Sequence, residues 1–115
     1  MKYIITLIIF FNICSASQFQ GIVQIHYDYK IDGKVEHKKS YKIYISSKNV
    51  GKYLGFENNS LWTFKFINTR TNTIMTASQV DGSFYRIMAG EVINNTIIGT
   101  WFAGGGLKGD FIIEK

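Results

Sequence analysis

The chain has 115 residues, of which 46% are hydrophobic and 18% are charged, and its formal net charge is +5. This composition excludes an intrinsically disordered chain, which combines low hydrophobicity with high charge, and the length suits one domain with its own apolar core. There is no proline, and the single cysteine is Cys14, so neither a proline-rich linker nor a disulfide framework is expected.

The first 16 residues are predicted to be a signal peptide that is removed from the mature chain. Lys2 precedes an apolar run over residues 3–13, and Cys14-Ser15-Ala16 then offers small residues for cleavage after Ala16. The run is shorter than the roughly 20 residues of a membrane-spanning helix. A buried N-terminal strand or helix is one alternative. Lipid modification of Cys14 is another, which the bulky side chain of Ile13 disfavours.

The leader predicts that the mature domain, residues 17–115, is secreted, or periplasmic or in the cell envelope if the host is bacterial. From residue 19 onward the sequence alternates with the two-residue period of a strand that buries one face. No later segment shows a sustained helical period, so no helix is predicted beyond the leader. The inward positions of the first strand are Phe19, Gly21, Val23, Ile25, Tyr27, Tyr29 and Ile31.

Asp32-Gly33 predicts the first turn, and the pairing register decides its type. A two-residue loop would pair the apolar face of the first strand with the polar face of the second, which carries Glu36, Lys38, Ser40 and Lys42. A three-residue loop over residues 31–33, with Gly33 left-handed, sets apolar against apolar residues instead. We therefore predict the three-residue loop, in which Tyr29 pairs with Val35, Val23 with Tyr41, and Gly21 with Ile43.

The rest of the chain repeats short strands with hairpin-sized connections, predicted over residues 53–57, 61–67, 73–80, 83–89, 91–93, 96–103 and 107–115. Trp62, Phe64 and Phe66 share the inward side of one of them. About eight strands at regular spacing predict an all-β, antiparallel up-and-down meander. Pairing of the first and last strands would remove both sheet edges, so a small closed barrel is expected.

The last quarter of the chain contains Gly99-Thr100-Trp101-Phe102, then Gly104-Gly105-Gly106, then Gly109-Asp110-Phe111. A Gly-Thr-Trp strand, a glycine-rich turn and a final Gly-x-Phe strand resemble the closing hairpins of small exported lipocalin-like and avidin-like barrels. The resemblance covers residues 90–115 and implies a ligand-binding barrel by analogy of fold. For the avidin-like families it implies biotin or a similar small ligand, and it assigns no site residue.

Side chains that could carry chemistry are few. The two histidines, His26 and His37, lie on opposite faces in the predicted register, which argues against a joint metal site. The nearby carboxylates Asp28 and Glu36 point outward. No nucleophile stands in a recognisable elbow, and the glycine run at 104–106 lacks the lysine and the helix of a phosphate loop. We therefore expect no enzyme, no metal site and no cofactor.

Two residues break the apolar pattern of the inward face: His37, predicted opposite Tyr27, and Lys39, predicted opposite Ile25. In one interpretation this part of the strand lies at an open barrel end, where Lys39 extends into water. In the other, both are polar anchors in an aromatic mouth, since ligand pockets hold few polar groups among apolar walls. The nearby aromatic residues are then either core or ligand wall. The candidate ligand-binding residues are Tyr27, His37, Lys39, Tyr41, Trp62, Phe64 and Trp101.

Lysines concentrate between residues 30 and 52, and weak contact with an anionic surface is expected through Lys30, Lys34, Lys38 and Lys42. Arginine, the better fork for phosphate, is missing from this segment, so nucleic acid is not an expected partner. Lysines on a sheet edge that block strand addition explain the pattern as well. Asn58 and Asn94 begin Asn-x-Ser/Thr acceptor sequences for glycosylation, which matter if the host is eukaryotic.

These observations predict an exported, non-catalytic binding protein that holds a small, partly apolar ligand in the barrel mouth. The alternative is a surface or interaction module with a filled core, such as an inhibitor, an adhesin or an envelope-associated protein. A cavity that opens near Lys39 would favour the first function, and a barrel packed shut would favour the second.

Overall fold

The computed structural model describes residues 16–55, 60–81 and 84–115. The predicted leader up to Ser15, Asn58 of the first glycosylation sequence and the turn residue Gly82 lie outside these ranges. Eight antiparallel strands follow one another in a meander, and pairing of the first with the last closes a barrel. The strands are β1 Gly21–Ile31, β2 Lys34–Ile45, β3 Val50–Tyr53, β4 Leu61–Asn68, β5 Thr73–Asp81, β6 Phe84–Ile93, β7 Thr96–Ala103 and β8 Lys108–Glu114.

The all-β, closed architecture confirms the fold predicted from the alternating pattern. Along β8, for example, exposed and buried residues alternate from Lys108 to Glu114, because successive side chains of a strand point to opposite faces. Closure by β1 and β8 removes the two free edges that an open meander would expose. Within the described residues, only two short 3-10 turns accompany the strands, Ala16–Phe19 and Gly104–Gly106.

Two predicted strand limits are wrong. The strand expected over residues 53–57 instead spans Val50–Tyr53 and pairs with β4 through Gly51, which lies opposite Trp62. A Cβ atom at Gly51 would approach the Phe64 ring to 2.6 Å, so glycine makes room there for an inward aromatic residue. The segments expected over 83–89 and 91–93 form the single strand β6, which continues through Gly90.

The register predicted for the first hairpin is also wrong, although the inward face is right. The turn has two residues, Asp32 and Gly33, with positive φ angles of 50° and 78°, as a type I′ turn requires. A bulge between Tyr29 and Lys30 then leaves Glu36 as the extra residue of β2. Because β2 contains this extra residue, apolar residues of β1 lie opposite apolar residues of β2. The three-residue turn predicted above would have had the same effect.

As a result, each predicted partner in this hairpin moves by two residues along β2. Tyr29 pairs with His37 instead of Val35, Val23 pairs with Ile43 instead of Tyr41, and Gly21 pairs with Ile45 instead of Ile43. His37 is therefore opposite Tyr29 and not Tyr27, and Lys39 is opposite Tyr27 and not Ile25. The shift by an even number preserves which side chains face inward, because the side-chain period of a strand is two.

The two ends of the barrel differ, and we call them the closed end and the mouth. The closed end contains the chain entry before β1 and the connections 46–49, 69–72 and 94–95. Phe19 covers it: this side chain is 1% exposed and stacks on Phe66 with ring centroids 5.9 Å apart. The mouth is the opposite end, with the Asp32-Gly33 turn and the glycine-rich connection between β7 and β8.

The core fills the barrel from the closed end to the level of Trp62. Among the residues that the structure describes, seventeen apolar side chains form one buried cluster. Near its upper limit, the indole N–H of Trp62 donates a hydrogen bond of 3.0 Å to the Tyr53 hydroxyl, and Gln79 donates to the same oxygen. These bonds satisfy polar atoms that would be costly to bury unpaired.

Candidate functional site

A cavity of about 230 Å³ remains above this core, at the mouth. We call it the mouth cavity. Its lining combines aromatic, cationic and aliphatic side chains from β1, β2, β6, β7 and the connection before β8. The lining residues are Tyr27, Tyr29, His37, Lys39, Arg86, Trp101 and Leu107.

The strand pairing brings these residues together. Tyr27 lies opposite Lys39 on the β1–β2 ladder, and the next inward pair toward the mouth is Tyr29 with His37. Across the barrel, Arg86 on β6 lies opposite Ala103 on β7. Because the side chain of Ala103 is small, the Arg86 guanidinium group forms the cavity wall at that level.

The aromatic side chains form a connected wall. The Tyr27 ring stacks on Tyr41 at 5.7 Å between centroids and meets Trp101 edge to face at 5.8 Å. Tyr29 contacts Trp101 at 6.5 Å and His37 at 6.1 Å. Such distances lie in the favourable range for aromatic pairs, so each ring restricts the orientation of its neighbours.

Trp101 is fixed by a hydrogen bond as well as by packing. Its indole N–H donates to the main-chain carbonyl of Asp28 at 2.7 Å. Gly109, opposite Trp101 on β8, makes this contact sterically feasible: a Cβ atom there would lie 1.9 Å from the Asp28 oxygen and 2.6 Å from the indole nitrogen. The position of Trp101 in the cavity wall therefore depends on Gly109, although Gly109 does not line the cavity.

Arg86 brings a cation into this aromatic wall. Its guanidinium carbon lies 5.3 Å from the centroid of the Tyr27 ring and 5.1 Å from that of Trp101. Both distances are within the range of a cation–π interaction. The side chain is half-buried, so its charge is partly removed from water and held beside the cavity.

Tyr27 is a neutral phenol at physiological pH. Burial, followed by a hydrogen bond with Tyr41, raises the pKa of Tyr27 to about 12, although the positive charge of Arg86 acts in the opposite direction. Desolvation raises the pKa because it disfavours the phenolate. The Tyr27 hydroxyl is thus a stable polar group among the rings and not a source of negative charge.

Four of the seven candidate residues line the mouth cavity: Tyr27, His37, Lys39 and Trp101. Tyr41 lies just below, stacked on Tyr27 and packed edge to face against Tyr53 at 5.6 Å. Trp62 and Phe64 are 0% and 4% exposed and belong to the core beneath. The structure therefore joins the β1, β2 and β7 candidates and places the two β4 candidates in the packed interior.

The sequence analysis missed Arg86, Tyr29 and Leu107 as lining residues. Arg86 lies two residues before Met88, which is 2% exposed, and therefore on the same inward face of β6. Alternation alone does not predict this face, because Tyr85, Ile87 and Ala89 form an equally apolar set that the structure turns outward. Tyr29 was in phase with Tyr27 in the first strand. Leu107 was predicted to begin the last strand, but it lies in the connection just before β8.

A polar cluster on the outer wall joins β2, β1 and β8. His26 Nδ1 lies 2.7 Å from Ser40 Oγ, and His26 Nε2 lies 2.8 Å from Glu114 Oε1. Nearby, the Asp28 carboxylate accepts a hydrogen bond from the main-chain N–H of Asp110. A serine–histidine–carboxylate order is that of an activated nucleophile, but here the groups are partly exposed on an outward face. We interpret them as a cross-strand polar ladder.

The predicted basic strip is partly neutralised by the neighbouring strands. Lys30 forms an ion pair with Asp110, and its hydrogen bond to that carboxylate raises the pKa of Lys30. Lys38 lies opposite Asp28 on the β1–β2 ladder. Lys34 and Lys42 are exposed on β2. The net positive charge that faces solvent is therefore smaller than the lysine count suggests.

Comparisons of the chain with protein-family models, with curated proteins and with solved structures find no match. In residues 16–55, 60–81 and 84–115, no helix is long and apolar enough to cross a membrane. The same ranges contain no group of three or more His, Asp or Glu side chains arranged to hold a metal ion.

Proposed function

We propose that the protein is a non-catalytic binding protein that holds a small, partly apolar ligand in the mouth cavity. The observation that carries the proposal is an aromatic-lined cavity of about 230 Å³ at the mouth, above the packed core. Ligand pockets typically combine apolar and aromatic walls with a few polar groups. Lys39, His37 and Arg86 are the polar groups of this one.

The volume limits the ligand. Pockets for drug-sized molecules usually measure roughly 300–1,000 Å³, and the mouth cavity lies just below that range. A single-ring or fused-ring molecule suits this space, whereas a long acyl chain would need room that the buried cluster around Phe64 and Met88 already occupies.

The closed eight-stranded meander is compatible with the lipocalin-like and avidin-like barrels that the last quarter of the sequence resembles. Eight strands leave an interior that side chains fill or that holds one small ligand. Such analogy raises the expectation of ligand binding without assigning a ligand, because one fold serves many functions.

Export remains part of the proposal. Cleavage after Ala16 would leave the buried side chain of Phe19 with the barrel that it covers. N-terminal sequencing of the native protein should therefore start at Ser17 or within a residue or two. A folded, exported protein that retains Met1 would overturn this part of the proposal.

Native mass spectrometry of protein purified from its host tests the binding function directly. The expected spectrum shows the folded chain with a small organic molecule that is released on denaturation. If the native protein carries no such molecule, and no small aromatic compound protects Trp101 fluorescence from quenching, the binding function is wrong.

A second candidate function, the surface or interaction module, is favoured by one feature of the outer wall. Val80, Tyr85, Ile87 and Phe102 are 67%, 47%, 48% and 53% exposed, and the β5–β6 and β6–β7 ladders place them side by side, with Val80 opposite Tyr85 and Ile87 opposite Phe102. Exposed apolar patches mark interaction sites. Loss of partner binding in Phe102→Ser, with ligand binding intact, would support this function.

A further inference from the structure

Positive charge dominates the polar lining of the mouth cavity. Lys39 and Arg86 are cationic, and His37 adds an imidazole. Among the described residues that line the cavity, none is a carboxylate. The remaining polar groups are the tyrosine hydroxyls and the indole, and the hydroxyl of Tyr27 stays neutral because burial raises its pKa to about 12.

We infer that the ligand is a small aromatic carboxylate, with its ring against Tyr27 and Trp101 and its negative group between Arg86 and Lys39. This inference rests on the proposed function, since it names the chemistry of the molecule in the same cavity. A planar carboxylate matches the planar fork of a guanidinium, which can donate two parallel hydrogen bonds to it.

The position of Arg86 supports the assignment of the anion to this side of the cavity. Contacts with two ring faces, at 5.3 and 5.1 Å, orient the guanidinium before any ligand arrives, so little side-chain freedom is lost on binding. Partial burial also lowers the local dielectric constant, and an anion is attracted more strongly there than at the surface.

Lys39 supplies the second positive group from the opposite wall. It lies across the ladder from Tyr27 and is exposed, so its ammonium group can reach the cavity while its stem packs along the strand. Lys39 is thus more exposed to solvent than the half-buried Arg86. Arg86 is therefore the main anchor, and Lys39 contributes attraction as the anion enters.

Isothermal titration calorimetry of the native protein with indole-3-acetate and with indole-3-acetamide tests the inference. The two probes have nearly the same shape, and only the first is charged. A charged hydrogen bond is worth roughly 1.5–3 kcal/mol, so we expect the acid to bind about ten- to a hundredfold more tightly than the amide. Phenylacetate and phenylacetamide form a second, smaller pair.

Arg86→Met should remove most of the preference for the acid over the amide, and Lys39 accounts for the part that remains. Arg70→Met is the matched control, because Arg70 is exposed in the connection between β4 and β5 at the closed end, and it should leave both affinities unchanged. Since Arg86→Met could perturb folding, a second measurement uses the native chain alone: added NaCl should weaken binding of the acid and leave binding of the amide unaffected.

The outcomes separate the two proposals. Equal affinities for acid and amide, with no effect of salt, would overturn the anionic inference and leave the binding function standing. Binding by none of the four probes would overturn the anionic inference, and the binding function would be wrong as well if native mass spectrometry also finds no retained molecule. A salt-sensitive preference for the acids that is undiminished in Arg86→Met would also contradict the inference, because the anion would then lie elsewhere.

Discussion

The first two strands show how the closed end and the mouth differ. Toward the closed end, β1 turns Val23 inward and β2 turns Ile43 and Ile45 inward, and all three are at most 1% exposed. Toward the mouth, the inward positions of the same strands carry Tyr29 and His37, which line a cavity. The same alternation of inward and outward residues therefore produces a buried aliphatic core toward the closed end and, at the mouth, a cavity wall of side chains that carry polar groups.

The difference has a simple physical origin. Aliphatic side chains gain free energy by leaving water completely, so they suit the end that Phe19 covers. Tyrosine, histidine and lysine bring an apolar body with a polar tip, and the tip must find water, a partner or a ligand. We therefore expect substitutions toward the closed end to change mainly stability, and substitutions at the mouth to change mainly binding.

The largest expected effect is on the core. Phe64→Ala should destabilise the fold by roughly 3–5 kcal/mol, because truncation of a buried aromatic residue loses apolar burial and leaves a cavity. Phe64 is 4% exposed. Urea unfolding measures the change, and Leu61→Ala, at an exposed position of the same strand, is the control. Similar melts for both variants would contradict the assignment of Phe64 to the core.

The second-largest loss of stability is expected when Gly109, a glycine at the mouth, is substituted. Gly109→Ala places a Cβ atom 1.9 Å from the Asp28 carbonyl oxygen, so β8 must move away from β1, at a cost of roughly 1–3 kcal/mol. Gly104→Ala is the matched control, because its Cβ atom would have ordinary contact with the Tyr85 ring at 3.6 Å. Thermal melts of equal midpoint would show that the close approach at Gly109 does not constrain the mouth.

The hairpin at the edge of the mouth should be less sensitive. Gly33→Val should destabilise by somewhat more than about 1 kcal/mol, because a β-branched residue is strained at positive φ, and Gly33 has a φ angle of 78°. Gly33→Asn should lose less, since asparagine tolerates the left-handed region. Urea melts unaffected by valine would mean that the turn does not have the type I′ geometry.

The smallest effect on stability is expected at Lys39. Lys39→Ala should change the free energy of unfolding by no more than about 0.5 kcal/mol, as is usual for exposed positions, while it weakens binding of indole-3-acetate. The difference between the two measurements sharpens the contrast between core and mouth. A strongly destabilised variant with unchanged affinity would identify Lys39 as a structural ion-pair partner instead.

The sequence predicted much of the inward face but not the pairing that brings it together. Alternation placed Tyr27 inside, but it did not place Arg86 beside it, because Tyr85 and Ile87 offer a competing apolar face of β6. It did not predict the extra residue Glu36 in β2, because a bulge and a longer turn restore the same apolar phase. The bulge and the longer turn both satisfy the alternating pattern, and they differ only in which residues of β1 and β2 pair with each other.

By itself, the sequence determined the all-β class, the meander order and the inward faces of β1 and β4, because these depend on the two-residue period and on short connections. Only the tertiary structure decided that the mouth stays open while the closed end fills. Arg86 meets Tyr27 and Trp101 across the barrel, and that meeting depends on closure between β1 and β8 and on the stagger of strands far apart in the chain. No local pattern encodes these distances, so the mouth cavity is a property of the closed barrel.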